Sequence, residues 1–157
     1  MQIDAFDRKI LRILQEDCSL STAEIAERVG LSQSPCWRRI AAMEEAGIIR
    51  KRVALLDRRK VGLGAQVFAN VKLSAHGRSH MAEFEATVRE IEEIQECYVL
   101  MGTTDFLLRI VTPDIEAYEK LFFERLSRLP GVQEITSSMA LSEIKSTTAL
   151  PVRAAPA

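Results

Sequence analysis

Ser21-Thr22-Ala23-Glu24-Ile25-Ala26-Glu27-Arg28-Val29-Gly30-Leu31-Ser32-Gln33-Ser34-Pro35-Cys36-Trp37-Arg38-Arg39 decides how the first part of the chain folds. Ser21 and Glu24 form a capping box: the serine hydroxyl takes the amide of Glu24, and the carboxylate reaches back to the amide of Ser21. The helix they open buries Ile25, Ala26 and Val29 and stops at Gly30, the residue suited to the left-handed position that closes a helix. Ser32 then caps a third helix. Pro35 is tolerated in its first turn, and Cys36, Ile40 and Met43 recur on its inner face. Upstream, Asp4 caps a first helix with Asp7 in its first turn, and Phe6, Ile10, Ile13 and Leu14 share one face. Gly47 ends the third helix.

Two helices joined by Val29-Gly30-Leu31-Ser32 have the geometry of a helix-turn-helix, in which the first turns of the second helix enter a DNA major groove. The side chains exposed there are Ser32, Gln33, Ser34, Trp37 and Arg38, with Arg39 beside them. Gln matches adenine, Arg matches guanine, and hydroxyls and early amides suit phosphate. Two readings fit Trp37: contact with DNA, or packing on the domain or a partner. Ile48 to Leu56 reads as a short strand, a wing laying Arg50, Lys51 and Arg52 along the backbone, and Arg58, Arg59 and Lys60 extend the positive surface. Charge agrees. Residues 1–60 carry 12 basic and 9 acidic side chains, residues 61–157 carry 9 and 13, and the basic excess is concentrated in 33–60. Charge alone describes a solvated face; coinciding with a docking motif, it points to a polyanion.

The period changes from 3.6 to 2 at Ala65. Ala65, Val67, Ala69, Val71 and Leu73 alternate against Gln66, Phe68, Asn70 and Lys72, a strand with one apolar face. Ser74 to Ser79 is a loop. Met81, Phe84, Val88 and Ile91 make a helix. Ile94–Met101 and Phe106–Val111 form a hairpin around Gly102-Thr103-Thr104-Asp105. A second helix follows Pro113-Asp114 with Ile115, Tyr118, Leu121, Phe122 and Leu126 inside, and Val132–Leu141 is the last strand. The order βαββαβ is ferredoxin-like, one antiparallel sheet with two helices on one face. The other face needs cover, and a second subunit, giving a homodimer, is the simplest. The chain is therefore α+β, with a winged helix-turn-helix over 1–60 and a ferredoxin-like domain over 61–157.

The chain of 157 residues, with 47% hydrophobic and 27% charged side chains, has the ordinary globular mix. No apolar run exceeds five residues, too short to span a bilayer. The charged first twenty residues do not look like a signal peptide, so a cytoplasmic location is expected. Cys18, Cys36 and Cys97 are odd in number and widely spaced, which argues against a disulfide framework or a cysteine zinc site. His76 and His80 lack a third ligand, no phosphate loop or nucleophile motif occurs, and no metal or cofactor is expected.

The chain resembles the Lrp/AsnC family of regulators, the leucine-responsive or feast/famine proteins, over essentially its whole length to about Lys145. The resemblance rests on Asp7-Arg8-Lys9-Ile10-Leu11, Val29-Gly30-Leu31-Ser32 with Pro35-Cys36, and Glu44 to Ile49. In the second part it rests on Glu92-Glu93-Ile94-Gln95-Glu96-Cys97, Met101 to Leu108, Pro113-Asp114 and Leu129-Pro130-Gly131-Val132. It implies a sequence-specific regulator of double-stranded DNA that responds to an amino acid or related metabolite. It also implies dimers that assemble further, often to octamers. In such proteins the effector lies between dimers, against the hairpin turn and a neighbour's last strand. Here those are Met101, Gly102, Thr103, Thr104 and Asp105, with Thr136, Ser138 and Met139. Gly102 lets the backbone approach a ligand and adopt a positive φ. Asp105 has two readings of equal weight: an acceptor for an α-ammonium group, or a cap on the turn's own amides. Two other classes stay open. One is an architectural protein that wraps DNA without an effector. The other is an enzyme, because relatives of this fold decarboxylate sirohaem-type tetrapyrroles. The segment from Ser146 onward is expected to be partly disordered or to lie across a neighbour.

Overall fold

A computed structural model describes residues 1–75 and 77–152. They divide into two compact units, 1–55 with 145 onward, and 56–144. Residues 145–152 thus fall with the helical unit, whereas the sequence places them in the second domain. His76 lies outside the described residues.

The helical unit comprises α1 (Ala5–Glu16), α2 (Thr22–Val29) and α3 (Gln33–Glu45). The expected capping box at Ser21 forms, and the expected cap at Asp4 turns out to be a second box. Asp4 accepts from the amides of Phe6 and Asp7, and Asp7 accepts from the Asp4 amide at 2.9 Å. The Ser21 amide donates to Glu24 at 2.8 Å, and the Glu24 amide donates to the Ser21 hydroxyl at 3.3 Å. Each box satisfies donors that a helix start otherwise leaves open. Gly30, at φ 75°, closes α2 while the Leu31 amide reaches the Ala26 carbonyl at 2.9 Å. This paired closure satisfies the last carbonyls and turns the chain sharply into α3. The core is Ile10, Leu11, Ile25, Ala26, Val29, Cys36, Ile40 and Met43.

Three expectations fail here. Phe6 is 37% exposed; the inner position in the first turn of α1 belongs to the buried Asp7 instead. Ser32 stands at the N-cap of α3, but its side chain makes no capping bond. Ile48 to Leu56 is not a strand, for a single extended segment has no ladder to join within this unit.

The second unit is a four-stranded antiparallel sheet in the order β2-β3-β1-β4, built from β1 (Ala65–Leu73), β2 (Ile94–Val99), β3 (Phe106–Thr112) and β4 (Val132–Met139). α4 (Met81–Arg89) follows β1, and α5 (Ile115–Glu124) follows β3. This is the expected ferredoxin-like topology, with β2 and β4 ending slightly early. The expected loop before α4 contains a 3-10 turn, Gly77–His80. Alternation decides the core. Val67, Ala69, Val71 and Leu73 of β1 meet Phe106, Leu108 and Ile110 of β3 beneath Phe84 and Val88 of α4 and Tyr118 and Leu121 of α5. Register then places Phe68 opposite Arg109, Asn70 opposite Leu107 and Thr136, and Phe68 opposite Ser138. All of these lie on the face away from the helices. β2 and β4 are both edges.

Candidate functional site

The side chains expected to read DNA lie on and just before the first turns of α3. Ser32, Gln33, Ser34, Trp37 and Arg38 are all exposed, on the side opposite the buried Cys36, Ile40 and Met43. Trp37 is 60% exposed. Most of the side chain is therefore uncovered by its own unit. Arg50 and Lys51 are exposed on the irregular segment after α3, and Arg52 holds Glu44 at 2.8 Å.

Arg39 departs from expectation. Its guanidinium donates to Asp4 at 2.7 Å and to Asp7 at 2.8 Å, and it lies 5.5 Å from the Phe6 ring centre. The bonds to Asp7 and Asp4 raise its pKa above the ordinary arginine value. The Asp4 carboxyl is held below the usual range, first by the Asp7 amide and further by Arg39. Arg39 is thus committed to joining α3 to the start of α1, and it fixes the direction of the recognition helix instead of offering a free charge. Arg58 is committed likewise: it donates to the carbonyls of Leu63 at 2.9 Å and Gly64 at 2.7 Å.

The hairpin turn is closed by the Leu100 amide donating to the Asp105 carbonyl at 2.8 Å. The Asp105 amide donates to Val71 at 2.9 Å, and Asp105 Oδ2 accepts from the Leu73 amide at 2.8 Å. One carboxylate oxygen therefore pins the turn to the end of β1, a third arrangement beside the two read from sequence. Met101 is fully exposed; Gly102 and Thr103 are exposed, and Thr104 is half-buried. Gly102 does not adopt a positive φ. A Cβ built on it would meet nothing within 4 Å, so the open space is present without the special backbone. Thr136, Ser138 and Met139 are exposed on β4. Within one chain β1 stands between β3 and β4, so the turn and these three residues are not brought together. Thr136 and Ser138 point away from the helices, whereas Met139, opposite the buried Val67, takes the other side.

Several contacts in the sheet unit were not anticipated from the sequence. On the face away from the helices, Glu96 accepts from Arg109 at 2.8 Å and from the Tyr98 hydroxyl at 2.9 Å. Arg109 keeps the Glu96 carboxyl below its usual range. On the other side of β2 a cleft of about 360 Å³ opens against α4, lined by Val88, Arg89, Cys97 and Val99 among others. Burial raises the Cys97 thiol pKa, which disfavours the reactive thiolate. Burial also raises the Tyr118 hydroxyl pKa, while its bond with Ser137 opposes the shift. Among the described residues no group of three or more His, Cys, Asp or Glu could hold a metal ion, and no helix is long and apolar enough to cross a membrane.

Two family models match the chain. The Lrp/AsnC ligand binding domain covers residues 66–150, and a winged helix-turn-helix DNA-binding model covers 3–50. The chain is 37% identical to the DNA-binding transcriptional activator DecR of Escherichia coli, over 96% of this chain and 99% of that protein. An AsnC family transcriptional regulator from Agrobacterium tumefaciens superposes with a TM-score of 0.91 at 45% identity, covering 96% and 97% of the two chains. A transcriptional regulator from Neisseria meningitidis, solved as its complex with L-Met, gives 0.92 at 41% over the same shares.

Proposed function

The chain belongs to the Lrp/AsnC family of DNA-binding transcriptional regulators, a family of regulators and not of enzymes, and from that premise we propose how its residues do this work. Gln33, Ser34, Trp37 and Arg38 of α3 enter the major groove, while Ser32, Arg50, Lys51 and Arg52 lie along phosphates. The observation that carries this is the start of α3: the N-cap Ser32 and four exposed polar or aromatic side chains of the first two turns, between a sharp glycine turn on one side and the Arg39 ion pairs on the other.

Two copies pair through the sheet face that carries Phe68, Asn70, Leu107 and Arg109. Support comes from the segment before β1, where Val53, Leu55 and Leu56 are 54%, 69% and 73% exposed. Apolar residues left open on a segment with no partner strand suit a ladder formed with a second copy. In the dimer the two recognition helices address half-sites about one helical turn apart. Dimers assemble further, to an octamer in the family's manner, and the turn at Met101 to Asp105 meets Thr136, Ser138 and Met139 of a neighbour. There an amino acid binds: Thr104 and the exposed turn amides face its carboxylate, and the negative charge of Asp105 draws its ammonium group. Such a regulator works in the cytoplasm, where the DNA is.

DNA binding is tested by fluorescence anisotropy of a labelled operator fragment between 50 and 200 mM salt. Neutralising about six phosphates would weaken binding by roughly a thousandfold over that range. A flat response would contradict the placement of the basic residues on the backbone. A footprint indifferent to both sequence and amino acids would favour the architectural reading.

A further inference from the structure

The end of the described chain returns to the helical unit, and it is held there by its main chain. The Leu150 amide donates to Gln15 Oε1 at 2.6 Å, and Gln15 Nε2 donates to the Leu150 carbonyl at 3.2 Å. One carboxamide thus satisfies both the donor and the acceptor of a single residue, which fixes the direction of the segment as well as its position. The Val152 amide folds back onto the Leu150 carbonyl at 2.8 Å, a three-residue turn about Pro151. Val152 then packs against the core that contains Ile10 and Leu11. The Leu150 side chain is 71% exposed, so the contact is not apolar collapse of that residue. It reads backbone, and only the turn that follows delivers a side chain to the core.

We propose that the end of α1 is a docking site for the chain's own segment 145–152, and that this segment is a second tether between the two units. The chain crosses from one unit to the other near Leu55 and again near Ile144. The second crossing starts from β4, the strand that bears Thr136, Ser138 and Met139. With its far end clasped by Gln15, the stretch 140–149 limits the positions the DNA-binding unit can take for any given placement of β4. A ligand or neighbouring copy that moves β4 is felt through it. The clasp stands on the contacts alone; the tether's regulatory role rests on the effector reading above.

The test uses the full-length chain and Gln15→Ala, with Val152→Asp as a second variant that leaves the carboxamide in place. Amide exchange at Leu150 should be about tenfold faster in Gln15→Ala than in the parent protein. The thermal midpoint reported by Trp37, the single tryptophan and a residue of the helical unit, should fall by a few degrees in both variants. The ratio of DNA affinities with and without the active amino acid should move toward one. Leu150 exchanging in the parent protein at the rate of an unstructured chain would overturn the clasp. Protection at Leu150 lost in Gln15→Ala while the affinity ratio stays unchanged would overturn the tether. An affinity ratio of one in the parent protein itself defeats the effector reading, and the tether's role with it, while exchange at Leu150 still decides the clasp.

Discussion

In the helical unit Asp4, Asp7, Ser21 and Glu24 close the starts of two helices, Gly30 closes an end, and Arg39 binds α1 to α3 across the fold. Everything that positions the recognition side chains comes from within one chain. In the sheet unit the helix-covered face is equally finished, with Phe84 and Phe106 wholly buried and their ring centres 4.3 Å apart. Its other features are half-built: β2 and β4 are open edges, Tyr98 to Met101 runs exposed along one of them, and the turn lies apart from Thr136 and Ser138. A site complete in one chain can act wherever that chain is. A site divided between copies responds to their arrangement, which is what regulation by assembly requires.

The contrast can be broken most forcefully at the sheet core. Phe84→Ala should cost about 3–5 kcal/mol. The loss should appear in the near-UV signals of Tyr98 and Tyr118, the two tyrosines, both in the sheet unit, well before it appears in Trp37. A Trp37 transition that falls equally would show that the helical unit does not stand by itself. Arg38→Ala probes the surface that needs no partner. It should weaken specific binding by about 1–3 kcal/mol and relax the preference at one base pair, with the circular dichroism spectrum unchanged. An equal loss on every sequence would assign Arg38 to phosphate.

The smallest effects sharpen the account of caps. Ser21→Ala should lower the stability of the helical unit by about 1 kcal/mol in chemical denaturation. Acid should act in the same direction. The carboxyls of Asp4, Asp17 and Glu24 are held below their usual pKa values, by the Asp7 amide, the Ser19 hydroxyl and the Ser21 hydroxyl respectively. A carboxyl with a depressed folded pKa contributes stability that is present above its unfolded value, about 4, and is lost as pH falls through the folded one. Between about pH 5 and 2 the Trp37 midpoint should therefore drop more than the tyrosine midpoint, since Glu96 is the one described carboxyl of the sheet unit with a resolved downward shift. Equal drops would remove the caps from the explanation.

What the sequence revealed and what it hid divide along a physical line. Caps at Asp4 and Ser21, the stop at Gly30 and the alternation from Ala65 to Leu73 are local, and each was legible from residues within a turn or a strand of one another. Arg39 read as a free cation because its partners lie at the start of the chain. Asp105 read equally as an ammonium acceptor or a local cap, because the residue its oxygen serves, Leu73, lies on another strand. Gln15 and Leu150 gave no signal, since a carboxamide that binds a distant main chain has no periodicity. The strand expected at Ile48 to Leu56 is a different failure. Its apolar and basic residues suit an extended segment, but a strand needs a neighbour, and the proposal above assigns that neighbour to a second copy. Gly102 shows that a glycine in a turn need not be there for its φ.

The most direct test of the account melts the full-length protein, without DNA, against each of the twenty amino acids while following Trp37 and the tyrosines separately. A ligand at a hundred times its dissociation constant stabilises by about 2.7 kcal/mol. The account predicts that one or two amino acids raise the tyrosine midpoint in the assembled protein. Asp105→Asn, which keeps an oxygen acceptor for Leu73 but removes the charge, should abolish the shift. No shift with any amino acid, or a shift that Asp105→Asn leaves intact, would contradict an amino-acid site at the turn.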